Sequence, residues 1–265
     1  VRDGDLLLEE VNSAPSAARR LRATVEYDGT GYQGFQIQLN GPTIQGALEK
    51  ALYAVMQQQI RVIGSGRTDS GVHALGQVVH CALIWEHPLD ALQRAWNSKL
   101  PIGIAVRDLR YVADDFHARF SARSREYRYA LYTSQVRRPL LDRFYYHFSD
   151  FLDLDIINRA AALLIGKQDF SAFGRPPQGT NAVRTVYRAS CRAEGDTILF
   201  DIEADAFLRR MVRLVVGTLL LAGRGVLSVE QFRDILQSRK LDHPMAAVPP
   251  CGLCLMRVNY DSDRC

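Results

Sequence analysis

The order of elements along the chain predicts an α+β fold built from two halves, each with the β-α-β-β-α-β order of a ferredoxin-like unit. Two observations carry this. Strand-like runs and segments of helical period alternate in the same order twice. The length, 265 residues, is enough to bury one large core or two smaller ones.

The first half opens with an apolar strand over residues 21–27. A helix over 44–56 follows, because Ile44, Ala47, Leu48, Ala51, Leu52 and Val55 recur at helical spacing and Thr43 is placed to cap it. Two β-branched runs, 61–63 and 78–84, read as strands joined by a Gly-rich loop. Pro88 opens a second helix carrying Leu89, Leu92 and Trp96, which stops before Pro101. A strand over 104–112 closes the half.

The second half starts with a strand over 123–132. A helix over 154–165 ends at Gly166, and strands over 184–192 and 197–203 are joined by the turn Glu194-Gly195-Asp196. Two helices, 207–222 and 229–238, precede a last strand over 253–260, so this half has one extra helix. The polar, small-residue segment 1–19 reads as a flexible extension, with halves at 20–115 and 116–265. The loop 174–182, with Pro176, Pro177 and Gly179, is expected to be mobile.

Composition narrows the function classes. No apolar stretch is long enough to span a bilayer, and Leu6-Leu7-Leu8 runs at once into Glu9-Glu10, so neither a membrane span nor a signal peptide is expected. Five cysteines form no repeated framework. Cys251 and Cys254 have metal-like spacing but lack a second pair, and Leu253 and Leu255 make that run a core strand, so no metal site is expected. A reducing cytoplasm is the expected setting. A net charge of +4 permits a nucleic-acid partner without requiring one. Clustering argues further: Arg119, Arg123, Arg125 and Arg128, then Arg137 and Arg138, then Arg209, Arg210 and Arg213 could form a phosphate-binding surface.

The segment from Gly64 to Val78 carries the chemistry. It sets Arg67 and Asp69 among glycines between two apolar runs, Gly-Ser-Gly-Arg-Thr-Asp-Ser-Gly-Val-His-Ala-Leu-Gly-Gln-Val. A loop fixed between rigid strands can hold one carboxylate beside one guanidinium. It is neither a Walker loop nor a dinucleotide fingerprint. By residue type alone it fits a structural turn with an internal ion pair at least as well as a catalytic loop.

As a whole the segment resembles the motif of the tRNA pseudouridine synthase A (TruA) family. The resemblance extends over Glu26-Tyr27-Asp28-Gly29-Thr30, Gly34-Phe35-Gln36, Thr43–Glu49, Phe116–Arg123, Arg125-Glu126-Tyr127-Arg128-Tyr129, Asp169–Phe173, Ala206–Arg213 and Pro249–Leu253, in the family's order. It implies that the two halves join their strands in a mainly antiparallel central sheet flanked by helices, with a catalytic cleft between them. It implies isomerisation of uridine to pseudouridine at tRNA positions 38 to 40, in the anticodon arm, by a homodimer without a cofactor. The alternatives are the same chemistry at another RNA site, or an RNA-binding or RNA-folding protein without turnover.

Roles follow residue by residue. Asp69 matches the family's catalytic aspartate, and either role open to it, attack on C1′ as the glycosidic bond breaks or removal of the 2′ hydrogen, needs an ionised carboxylate, which a nearby guanidinium favours. Tyr127 matches the tyrosine for which the family implies stacking on the uracil and a catalytic part in handling the C5 proton. Period-two alternation puts it on one strand face with Arg123, Arg125 and Tyr129, where a Tyr-x-Tyr pattern alone would read as packing. Arg213 lies at the border of the apolar face made by Leu208, Met211, Val212, Val215, Val216 and Leu219, where an arginine commonly snorkels. The resemblance instead makes it the partner of the catalytic aspartate, and makes Arg67 the residue that fills the space left by the flipped base. Arg125 and Arg210 are candidate phosphate contacts. Two residues depart from the family pattern. Asp205 replaces an Asn and is expected near a helix N-terminus. Phe35 replaces a Trp, keeping a ring and losing an N–H.

Overall fold

Ten strands form one sheet in a computed structural model that describes residues 17–176, 179–241 and 247–261. The expected extension lies outside the described residues up to residue 16, as do Pro177 and Gln178 of the expected mobile loop. The first half contributes β1 (Arg19–Tyr27), α1 (Ile44–Met56), β2 (Ile63–Gly64), β3 (His73–Leu83), α2 (Leu89–Lys99) and β4 (Ile104–Tyr111). The second contributes β5 (Ala122–Tyr132), β6 (Tyr146–His147), α3 (Leu154–Ala162), β7 (Gly166–Asp169), β8 (Val183–Glu194), β9 (Thr197–Ala204), α4 (Met211–Gly223), α5 (Val229–Ser238) and β10 (Leu253–Tyr260).

The main strand order is β4-β1-β3-β10-β5-β9-β8-β7, with β2 beside β3 and β6 beside β5. Neighbours are antiparallel except the β3–β10 and β5–β6 pairs. β3 is the joint. One of its edges pairs with β1. The other pairs with β10 at His73 and Ala74, then with β2 at Val79 and His80. The loop 65–72, which carries Arg67 and Asp69, therefore enters the sheet where this edge changes partner. Gly76 makes the close approach possible, since a Cβ there would stand 2.3 Å from the Met256 carbonyl oxygen.

Two hydrophobic clusters lie along this sheet. The first packs Leu48 and Leu52 of α1 and Leu92 and Trp96 of α2 with Val25, Val79 and Val106. The second packs Ile157 of α3, Val215 and Leu219 of α4 and Phe232 of α5 with Leu131, Phe200 and Ile202. Side chains cross between them: Val72 belongs to the second cluster, Leu255 and Val258 to the first, and Tyr127 packs against both.

Several boundaries differ from expectation, each for a local reason. β3 begins at His73 rather than 78, because the glycines that read as loop lie within or beside a strand paired on both edges. α3 ends at Ala162 rather than 165, and Gly166, at φ +104, opens the short polar strand β7, which no periodicity marked. α4 begins at Met211 rather than 207. Arg210 is left-handed at φ +63, and Arg209 donates its backbone N–H to the Arg175 carbonyl, so tertiary contacts hold this run out of the helix. Thr43 caps α1 as expected, its hydroxyl accepting from the Gly46 N–H at 3.2 Å.

Candidate active site

The Asp69 loop rests on buried polar side chains. Ser65 donates its hydroxyl to Gln77 Oε1 at 2.6 Å, and Gln77 Nε2 donates to the Gly66 carbonyl at 3.1 Å. The Thr68 and Tyr27 hydroxyls are hydrogen-bonded at 2.8 Å. All four side chains are buried. Buried polar groups that satisfy one another define a single loop geometry. A second loop braces the first. The Phe35 N–H donates to the Thr68 carbonyl and the Ser70 hydroxyl donates to the Tyr32 carbonyl. Gly34, at φ +87, brings its backbone so near that a Cβ would lie 2.5 Å from the Thr68 carbonyl oxygen.

On this base the two halves meet. Asp69 Oδ2 lies 3.6 Å from Arg213 Nη1, with the Asp69 side chain 28% exposed and that of Arg213 14%. Arg213 sits in the first turn of α4, and its Nε donates to the Val248 carbonyl at 2.7 Å, which aims the guanidinium. Tyr127 stands edge-on to Phe207, ring centroids 5.1 Å apart. Burial pushes the Tyr127 phenol well above the ordinary tyrosine range; Arg125 works against this and the charge of Asp69 adds to it. A carboxylate, a fixed guanidinium and a protonated phenol thus converge from a loop, a helix and a strand. Such a group can stabilise positive charge on a sugar carbon beside an aromatic surface for a base.

The other predicted residues differ in their surroundings. Arg67 and Arg210 are exposed, and neither has a hydrogen bond or ion pair from its guanidinium among the described residues. Arg125, expected at a phosphate, is half-buried and directs its guanidinium to four backbone carbonyls. Asp205 is not at the helix N-terminus expected for it, since α4 starts six residues later. Its Oδ1 accepts from the Thr185 and Ala206 N–H groups at 3.0 and 2.6 Å. An Asn oxygen would make those two bonds equally well. Phe35 is buried against Tyr27, and a Cβ at Gly64 would lie 2.5 Å from its ring.

Sequence reasoning passed over Gln77, Ser65, Thr68 and the Val248 carbonyl. Gln77 had a signal: it is a polar residue at an inward position of β3. The Val248 carbonyl had none, because backbone acceptors carry no residue type. Cys251 lies in a short turn and Cys254 in β10, as a core strand requires. Burial pushes the Cys254 thiol up to about 11. Among the described residues no three His, Cys, Asp or Glu are grouped to hold a metal ion, and no helix is long and apolar enough to cross a membrane.

The sequence model described as tRNA pseudouridine synthase matches residues 23–121 and 160–261. The chain is 42% identical over 249 residues to tRNA pseudouridine synthase A of Herminiimonas arsenicoxydans, covering 92% of this chain and 90% of that one. It is 42% identical over 246 residues to the protein of that name from Neisseria gonorrhoeae, covering 91% and 92%. To the one from Syntrophotalea carbinolica it is 40% identical over 246 residues, covering 92% and 98%. The matched spans contain Asp69 and Arg213, with Tyr127 in the region 122–159 between them, and the chain belongs to the tRNA pseudouridine synthase family, a family of isomerases.

Proposed function

We propose that this enzyme isomerises uridine to pseudouridine at positions 38 to 40 of the tRNA anticodon arm, with Asp69, Tyr127 and Arg213 at the reacting nucleoside. The single observation that carries the reading is the approach of Asp69 to Arg213 at the seam where Tyr127 packs against both cores. The reaction breaks the N1 glycosidic bond, turns the uracil and rejoins it through C5, which gives up its proton while N1 gains one. Atoms are rearranged within one nucleoside, so no redox partner or group donor takes part. Asp69, 3.6 Å from Arg213, acts at the sugar, and Tyr127 offers its ring to the uracil.

A uridine stacked in the arm is out of reach until it is extruded. Arg67, on the same loop as Asp69 and with no partner for its guanidinium among the described residues, takes the vacated space, while Arg210 meets phosphate. A homodimer that grips the tRNA body with one subunit and modifies with the other explains how one site serves neighbouring uridines. The protein acts in the cytoplasm, where tRNA matures.

Mapping pseudouridine in unmodified tRNA treated with the purified protein tests this. The expected result is modification at 38 to 40, a dimeric mass in sedimentation, and a far higher kcat/KM for full-length tRNA than for an isolated anticodon stem-loop. Modification at other positions only would replace the site assignment. A monomer with equal kcat/KM for both RNAs would remove the dimer grip.

A further inference from the structure

We infer that Arg125 is a positioning residue that ties together the segments carrying Asp69, Tyr127 and Arg213, and that it does not contact RNA phosphate. Its Nη2 donates to the Ser65 carbonyl at 3.1 Å and the Arg119 carbonyl at 2.7 Å. Its Nη1 donates to the Asp205 carbonyl at 2.8 Å and the Ala122 carbonyl at 3.3 Å. Ser65 opens the loop that reaches Asp69 four residues later. Asp205 opens the irregular run that enters α4, where Arg213 lies in the first turn. Tyr127 is two residues along β5 from Arg125 itself. One planar group thus spans three polypeptide segments from both halves.

The acceptor on the loop side is itself fixed. The Ser65 N–H donates to the Val78 carbonyl at 2.8 Å, and its hydroxyl is held by the fully buried Gln77. A carbonyl locked on its own residue's other two polar groups gives the guanidinium a rigid anchor, so displacement of Arg125 is transmitted to the loop. Four acceptors in two directions require the five-donor fork of arginine; an ammonium has three donors at one point. A phosphate could engage these N–H groups only by breaking bonds to part-buried carbonyls, each of which would lose its partner at a cost. The inference rests on the reading of Asp69, Tyr127 and Arg213 as the reacting groups.

The test compares wild type, Arg125→Gln and Arg125→Lys with unmodified tRNA. It reads kcat, KM, the salt dependence of tRNA binding, and amide hydrogen exchange. Wild-type turnover is measured first, and its absence would overturn the reading of the site while exchange still decides the clamp. Misplacing reacting groups by about 1 Å lowers kcat on the order of 100-fold, and we expect a loss of about 10- to 100-fold in both variants. KM should stay within about threefold, as for an interaction that shapes the transition state rather than uniform binding. The slope of log K against log salt should not change, and exchange should quicken in residues 64–69 and 205–209. Should Arg125→Gln fail to fold, Arg125→Lys, which keeps the charge and the stem, decides. Wild-type kcat in Arg125→Lys overturns the inference. So does a salt slope lowered by about 0.7 to 0.9 with unchanged exchange, which is the signature of one lost phosphate contact.

Discussion

Arg123, Arg128, Arg137 and Arg138 share a residue type and a clustered sequence with Arg209 and Arg210, yet the fold treats the two groups in opposite ways. Arg123 is bidentate to Asp261, Arg128 to Asp201, Arg137 reaches Asp142 at 2.7 Å and Arg138 reaches Asp196 at 2.5 Å. Arg107 and Arg188 are paired in the same manner, with Glu26 and Glu126. By contrast Arg209 and Arg210, on the turn leading to Arg213, and Arg67, two residues from Asp69, are exposed and have no carboxylate partner among the described residues. Exposed pairs stabilise a fold by only about 0 to 1 kcal/mol. Their main consequence is local neutrality. Clustering in sequence therefore measures charge, whereas the pairing in the fold decides where a positive field survives to meet RNA.

The largest effect that sharpens this contrast is at Arg67. Arg67→Ala is expected to lower kcat/KM by at least about 100-fold, the scale set by loss of correct placement at a reacting centre. Arg67→Lys should not restore it, because an ammonium lacks the planar fork. Near wild-type turnover in the Lys variant would reduce the role of Arg67 to charge alone.

Salt dependence tests the division itself. Arg210→Ala should lower the slope of log K against log salt by about 0.7 to 0.9, one phosphate contact, while Arg188→Ala should leave it unchanged. Equal falls in both variants would show that paired arginines face RNA as readily as free ones.

A smaller effect concerns stability. Burial works to raise the Asp201 carboxyl, but Arg128 and Arg192 outweigh it and hold it below the ordinary aspartate range. A depressed carboxyl gives stability that is full above its unfolded value, about 3.9, and is lost as pH falls through the lower folded value. Burial also pushes His80 down to about 4, aided by His117 and Arg20, so the folded state resists a proton that the unfolded chain takes up near 6.5. The thermal midpoint should thus fall first between about pH 6.5 and 4 and again below it, and Asp201→Asn should weaken only the second fall. An unchanged profile below pH 4 in Asp201→Asn would separate Asp201 from the pairing account.

How far the sequence disclosed this arrangement depends on what each feature rests on. The strands and helices of the two halves were legible because periodicity and turn residues encode them locally, as with Thr43 before α1 and Gly195 between β8 and β9. β6, β7 and the delayed start of α4 were not, because a two-residue strand, an edge strand of polar residues and a left-handed Arg210 are imposed by neighbouring segments. In the candidate site, motif resemblance singled out Asp69, Tyr127 and Arg213, and their convergence came from the parallel β3–β10 joint, which no local pattern reveals. The carbonyl cage of Arg125 was invisible for the same reason: its four acceptors are backbone atoms drawn from distant parts of the chain.

The most direct measurement is turnover and tRNA binding by Asp69→Asn, an isosteric change on a partly exposed side chain. The account predicts loss of pseudouridine formation, with tRNA affinity and its salt slope unchanged from wild type, because the unpaired arginines still meet the RNA when the carboxylate is gone. Substantial pseudouridine formation by purified Asp69→Asn would contradict it.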